Sequence, residues 1–346
     1  MNRVFLTNVV PKEYILKSDV SVASNNFSYS LIDNQMFDSV ISLVPPNISA
    51  KFKKTKKIKF YTLNNKNIIC TTYTYLRNII KIYISLSQQN IWFYNLTRYN
   101  LLLFFLLKYF SFNKTYLIFL DHTPPIKSDL VGRIIHFFLY KFNGVISLRN
   151  LPKFKNCDCI CGFYDQKSYN LNPQNKSFIF SGILSENRLP ELLFRSFINF
   201  PDLELHITGK IENKIYIDKY VNKYDNIYFH GYLSYKDYES LLSKVTFSLN
   251  FRDPVFPENS YNFPSKSIEH LGMNKVLIST IYYDELENIE YVFVDPSKTQ
   301  FYDLLKLVSL SKFNYSKFSN QSKKVNDLFG KEKWSKTFLK IEQNDL

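Results

Sequence analysis

The feature that narrows the fold most is an alternation of strand-like and helix-like segments, interrupted once and then begun again. Short runs rich in Val, Ile, Leu, Phe and Tyr fall at residues 3–7, 40–44, 58–62, 91–94, 115–120 and 144–148. Stretches with helical spacing fall between them at 27–37, 73–86, 101–110 and 130–142. A polar segment, 162–176, with Pro173 and several Asn, breaks the pattern and reads as a linker. Strands then resume at 177–180, 203–208, 227–229, 246–250, 276–279 and 291–294. Helices are expected at 189–200, 211–224, 235–243, 265–271 and 300–310, and a charged one at 331–341 carries Trp334 and Phe338. Near-continuous apolar strands, each followed by a helix, specify parallel sheets covered on both faces. The expectation is an α/β protein with two doubly wound, Rossmann-like sheets facing each other across a cleft. Its domains are 1–165 and 176–330, with 331–346 as a C-terminal helix that packs back on the first. Ligands of such sheets lie beyond the carboxyl ends of the strands.

Charge separates the two halves. Net charge is +14, and residues 1–171 carry 22 Lys and Arg against 8 Asp and Glu, while the remainder carries 22 of each. Codon bias would enrich Lys throughout but would not strip acids from one half. A basic half suits a polyanionic partner: an anionic membrane, a phosphorylated substrate or nucleic acid. Apolar residues make up 45% of the chain, which excludes a disordered tail, and 8 Gly with 13 Pro exclude low complexity.

Residues 1–14 form no signal peptide. The most apolar run, 101–107 continuing to Phe112, is too short to span a bilayer. It reads as a core helix; an interfacial helix is the alternative, given Arg98, Lys108 and Lys114 at its flanks. A cytoplasmic protein is expected, with peripheral attachment to the inner face of the cytoplasmic membrane. Cys157, Cys159 and Cys161 alternate and read as one face of a buried strand with reduced thiols, because no zinc-type ligand spacing accompanies them.

The sequence contains no Gly-x-Gly-x-x-Gly, Walker loop, Asp-x-Asp or His-Glu-x-x-His, so no cofactor and no metal are expected. The informative segment is 249–280, LNFRDPVFPENSYNFPSKSIEHLGMNKVLIST. A strand ends near Asn250, a polar loop follows, and a helix starts around Pro264, Ser265 and Lys266. Free amides at that start, with Lys266 beside them, form an anion site. Glu269, three residues on, lies on nearly the same helix face and can accept two hydroxyl hydrogen bonds, as a ribose would offer. Taken alone, Lys266 and Glu269 read better as a surface ion pair.

This segment resembles the donor-binding signature of retaining GT-B glycosyltransferases of the bacterial surface-polysaccharide, family 4-like type. Residues 259–269 match the Asn-Ser-x-x-Phe-Pro-Ser-Lys-x-x-Glu core, and a Lys-Val-Leu-Ile-Ser-Thr strand follows. Residues 180–184 with Arg188 resemble the loop that opens the family's second domain, and 229–233 the loop that borders the nucleobase. In the first domain, 21–27 resembles the loop and helix start after the family's first strand, and 94–96 and Asp121-His122 resemble its strand ends. One departure is Tyr261, which stands where the wider family has the first of two glutamates; Ile183 stands where many members have Arg.

The resemblance implies transfer of a sugar from a nucleotide-diphosphate donor to a lipid-linked or oligosaccharide acceptor, in O-antigen, capsule or exopolysaccharide synthesis. It implies retention of anomeric configuration. Arg188, Lys266 and His122 are the candidate catalytic residues, the two cations stabilising the departing diphosphate. Gly182, Tyr232, Arg252, Asn262, Ser265 and Glu269 are candidates for the donor. Asn25, Asn26 and Asp121 are candidates for the acceptor, although the two asparagines fit helix capping as well and His122 fits a hydrogen-bonded loop histidine. Residues 51–59 offer a basic cluster to an anionic membrane, or form a solvated loop. No nucleic-acid partner is expected, since no recognition motif accompanies the basic half. A nucleic-acid-binding protein and a donor-binding pseudoenzyme are the alternatives, with a GT-B epimerase behind them.

Overall fold

The computed structural model describes residues 2–344 except 18–19, 45–51, 53–56, 64–66, 120–129, 149–153, 155, 166–174, 257–258 and 260–262. The first strand, β1 (Arg3–Thr7), is buried from Val4 onward, as a strand covered on both faces must be. Val4 and Leu6 point into one apolar cluster, while Phe5 points to the opposite face and stacks on Phe37 at 4.4 Å. The elements that follow are α1 (Val22–Asp33), β2 (Ser39–Leu43), β3 (Ile58–Tyr61), α2 (Ile68–Ser85), β4 (Asn90–Tyr94), α3 (Leu101–Phe110), β5 (Lys114–Phe119), α4 (Leu130–Leu139), β6 (Gly144–Ser147) and β7 (Cys157–Cys159). Next come β8 (Ser177–Leu184), α5 (Pro190–Ile198), β9 (Glu204–Ile211), β10 (Ile227–Gly231), α6 (Tyr235–Lys244), β11 (Phe247–Asn250), α7 (Ser265–Gly272), β12 (Val276–Ser279), β13 (Val292–Phe293), α8 (Gln300–Ser309), α9 (Gln321–Phe329) and α10 (Lys331–Gln343).

The chain forms two compact units, Met1–Phe163 with Lys331–Leu346, and Tyr164–Gly330. The first holds a seven-stranded sheet in the order β3-β2-β1-β4-β5-β6-β7, the second a six-stranded sheet in the order β10-β9-β8-β11-β12-β13. Every pairing is parallel. Each sheet reverses its winding once, between β1 and β4 and between β8 and β11, and these are the positions where doubly wound sheets open a crevice.

In the first unit, α2, α3 and α4 cover one face through Ile79, Ile82, Leu103, Phe104, Leu107 and Leu139. The other face is closed by α1 and α10. Trp334 packs on Phe27 at 5.7 Å, and Phe338 on Trp92 at 4.6 Å and on Phe37 at 5.3 Å. Glu342 then receives the Arg3 guanidinium through two 2.8 Å hydrogen bonds and the Trp92 indole N–H at 2.9 Å. In the second unit, α5 and α8 cover one face around Phe178, Phe194 and Phe197, while Ile179, Leu242, Val245 and Met273 fill the space under α6 and α7.

Several boundaries differ from the sequence reading. The helix expected at 211–224 is shortened to 215–221, most of it the π-helix Ile217–Val221, because β9 runs on to Ile211. The reason is that Leu205, Ile207 and Ile211 keep one period-two face in the core, and Gly209 continues the strand. β8 likewise extends through Gly182 to Leu184. Helix α1 begins at Val22, where Ser21 caps it, and α9 has no counterpart in the expected pattern. Strand β7 ends at Cys159, before Cys161. All four cysteines are free thiols, and burial pushes the Cys157 thiol up to about 12, which keeps it protonated and unreactive. Among the described residues, no helix is long and apolar enough to cross a membrane.

Candidate functional site

The chemistry gathers at the carboxyl ends of β8 and β11, beside the winding reversal of the second sheet. Gly182, at the end of β8, has φ +142°, and space lies open where a side chain would project. Its register partner on β9 is Gly209, where an added Cβ would stand 2.1 Å from the Gly182 carbonyl oxygen. Only glycine at 209 allows the strands to approach this closely.

Arg188 follows in a short 3-10 turn, Glu186–Arg188, and its Nη1 donates to Oδ1 of buried Asn259 at 2.6 Å. Asn259 in turn donates from Nδ2 to the Asp253 and Asn187 carbonyls at 2.8 and 3.3 Å, and the Asp253 N–H donates to the Asn187 carbonyl at 2.9 Å. The loop after β8 and the loop after β11 are thus laced together, with the guanidinium held in the lacing. Arg252 is pinned at the end of β11: its N–H donates to Thr280 Oγ1 at 2.8 Å, and its Nε donates to Asn250 Oδ1 at 3.3 Å.

Helix α7 starts at Ser265 behind Pro264, which has no side-chain donor or acceptor to cap the first turn. Lys266 is exposed, and its Nζ stands over the Tyr238 ring at 5.5 Å. Crowding by protein lowers the ammonium's pKa below the ordinary lysine value, and Glu269 opposes the shift.

One turn on, His270 is buried and bridges three elements. Its Nε2 lies 2.7 Å from the Tyr238 hydroxyl, and its Nδ1 meets the Ser248 hydroxyl. Tyr238 donates to Ser181 at 3.2 Å, and Thr208 donates to the same oxygen at 3.2 Å. With Tyr238 donating onward, His270 carries its proton on Nε2 and accepts from Ser248 at Nδ1. Burial, reinforced by Lys266 and Lys275, lowers its pKa to about 3, so the ring is neutral at physiological pH. The relay ties α7, which carries Lys266, to Ser181 next to Gly182.

Gly182, Arg188 and Arg252 thus lie at or just past the ends of β8 and β11, Lys266 in the first turn of α7 and Glu269 in the middle of that helix. Tyr232 is exposed just past β10, after Gly231 at φ +63°. His122, Asp121, Asn262 and Tyr261, and the side chain of Ser265, lie outside the described residues, as does most of the 51–59 cluster. Asn25 is buried inside α1, accepts from the Val10 N–H at 3.0 Å and donates to the Val10 carbonyl at 3.2 Å. It clamps the loop after β1, and it is not the cap, which is Ser21. Asn26 is exposed on α1. The sequence reading overlooked Asn259, Tyr238 and His270 as individual residues. Asn259 opens the signature and was visible there; the other two are joined only by the fold.

No protein-family model and no curated protein sequence matches the chain. Solved structures do. HepE from Anabaena, solved in complex with UDP, superposes with a TM-score of 0.68 at 11% identity, over 99% of this chain and 100% of that one. A UDP-forming α,α-trehalose-phosphate synthase from Burkholderia vietnamiensis gives 0.60 at 10% identity, over 99% and 100%. UDP-GlcNAc 2-epimerase from Neisseria meningitidis, bound to UDP-GlcNAc, gives 0.59 at 10% identity, over 99% and 100%. With two parallel doubly wound sheets and these neighbours, the chain has the GT-B fold.

Proposed function

We propose that this protein is a glycosyltransferase that moves a sugar from a nucleotide-diphosphate donor to a lipid-linked or oligosaccharide acceptor in bacterial surface-polysaccharide synthesis. The observation that supports the reading is that held cations and a helix start without a side-chain cap all follow β8 and β11, the strands that flank the reversal point of the second sheet: Arg188 on Asn259, Lys266 over Tyr238, and the first turn of α7. That is a site for a diphosphate. The UDP in the HepE structure and the UDP-sugar in the epimerase structure make UDP the first nucleotide to test.

In the proposed reaction, the anomeric C–O bond breaks and its electron pair leaves with the nucleoside diphosphate. The acceptor hydroxyl forms the new C–O bond, and its proton passes to the released diphosphate. Charge on the diphosphate is greatest at departure, so fixed cations and amides act most strongly there. Glu269 positions the ribose, and Arg252 reinforces the positive field in place of the arginine that Ile183 displaces. No metal is assigned a role, because the cations present supply the charge. Retention is assigned from the family resemblance. The first unit, with its basic surplus, takes the acceptor, and the protein works at the inner face of the cytoplasmic membrane.

The test is thermal unfolding with UDP, GDP and their sugars, followed by transfer assays on Arg188→Ala and Lys266→Ala. Wild type is expected to be stabilised by one nucleotide diphosphate, and each variant to lose about 10²–10³ in turnover. If no nucleotide raises the unfolding temperature, the donor site is refuted. Stabilisation without transfer to any acceptor favours the pseudoenzyme, and inversion at C2 of the donor sugar without UDP release favours an epimerase.

A further inference from the structure

Three neighbouring helices of the first unit are apolar on the side turned away from the core. Helix α2 buries Ile79 and Ile82 against the sheet, yet Ile69, Tyr73, Leu76, Ile80 and Ile84 form a second stripe at helical spacing, with Ile69 80% and Ile84 74% exposed. An ordinary surface helix is polar on its outer face. Helix α3 repeats the arrangement, with Leu103, Phe104 and Leu107 inside and Phe105, Tyr109 and Phe110 outside. Helix α4 buries only Leu139 and exposes Leu130, Ile134 and Phe137. The helices adjoin: the Tyr83 hydroxyl donates to the Phe110 carbonyl, and Phe105 and Tyr109 pack on Phe138 at 6.3 and 6.5 Å. The result is one face, larger than scattered exposed side chains would give.

Charge decides what covers it. No Asp or Glu occurs between Asp38 and Asp121, and α4 has none either. Arg77 and Lys81 flank the stripe on α2, and Arg133 and Lys141 lie on or just past α4, all exposed, with the Lys141 ammonium 5.1 Å above the Phe137 ring. Aliphatic and aromatic side chains framed by cations and free of acids match an anionic lipid surface: the apolar groups enter the headgroup region and the cations meet phosphate. A protein partner would not require three adjoining helices without a single acid among them.

We infer that the α2–α3–α4 face docks on an anionic bilayer, and that this face, rather than residues 51–59 alone, is the membrane anchor. The inference deepens the proposed function by giving the lipid-linked acceptor's surface a definite docking site, and it rests on that reading only for its biological setting. The test is cosedimentation of the full chain with phosphatidylcholine vesicles, with and without phosphatidylglycerol. Wild type is expected to bind the anionic vesicles and to release at high salt. Tyr73→Ser/Ile80→Ser/Ile84→Ser and, separately, Arg77→Glu/Lys81→Glu are expected to weaken binding at least about tenfold. These positions lie outside the core, and Phe137→Ser on α4 gives an independent variant. Lys57→Glu/Lys59→Glu is expected to retain most of the binding; if it alone abolishes binding while the stripe variants bind, the inference is overturned. A wild type that ignores vesicles but self-associates, and becomes monomeric in the stripe variants, assigns the face to a second copy and also overturns it. Stabilisation by nucleotide is expected in every variant, so a failure of the donor reading shows separately from a failure of docking.

Discussion

The two sheets share a winding order but use their reversal points differently. At the first, polar side chains turn back on the local backbone: Asn25 clamps Val10, Asn100 holds Asn95 and Thr97, and Ser42 donates to the Val9 carbonyl at 2.6 Å. At the second, polar side chains hold one another and two cations, through Asn259 to Arg188 and through His270 and Tyr238 toward Lys266. The first unit instead carries its distinctive surface on the outer sides of helices. In the proposed reading, one topology serves a ligand site in one unit and a docking face in the other. Fold alone would not have assigned either.

The sharpest way to break this contrast is at the first unit's seal. Trp334 is fully buried, and its indole donates to the Gly162 carbonyl at 2.9 Å. Trp334→Ala is expected to destabilise by about 3–5 kcal/mol. Both tryptophans lie in the first unit, so the fluorescence of Trp92 in this variant reports that unit alone. A lower midpoint by fluorescence, with nucleotide stabilisation of the second unit unchanged, would sharpen the comparison; loss of nucleotide binding in this variant would break it.

In the second unit, Gly209→Ala is expected to cost about 2–3 kcal/mol, because φ +107° strains any side chain and the Cβ meets the Gly182 carbonyl. It is also expected to weaken nucleotide binding by displacing Gly182. Equal binding by variant and wild type, measured calorimetrically, would remove Gly182 from the site.

The smallest effect concerns Lys275, which is 2% exposed and donates to the Val245 carbonyl at 2.7 Å. Burial lowers its pKa from 10.5 to about 8. The folded state disfavours the charged amine, so its contribution to stability is fully present above pH 10.5 and is lost as pH falls through 8. Lys275→Met is expected to gain about 1–2 kcal/mol at pH 7, after allowance for the lost hydrogen bond. The gain should shrink between pH 8 and 10.5, as read from urea midpoints. A pH-independent difference would mean that the lysine is not held away from water.

Much of the architecture could be read from apolar runs alone, because buried parallel strands leave little choice of residue. Arg3–Thr7, Leu101–Phe110 and Val276–Ser279 fall where expected. Errors came where a glycine sat in a strand. Gly182 and Gly209 resemble breaks in sequence, but they stand in register on two strands that both continue, and Gly209 permits their close approach. The site was legible as a short signature, residues 259–269, but its wiring was not. His270 meets Ser248 across 22 residues and Tyr238 across 32, partners that no spacing rule connects. The outward apolar stripe of α2 escaped notice because a helix with two apolar faces reads simply as core.

The C-terminal helix has a consequence for synthesis. Trp92, Phe5 and Phe37 form the side of the first sheet on which Phe338 and Glu342 close, and those residues leave the ribosome only after the whole of the second unit. Domains made first usually fold first. Here the earlier-made unit waits, one aromatic flank bare, until the later-made one is complete. Nascent chains stalled before α10 should therefore recruit holdase chaperones to the first sheet.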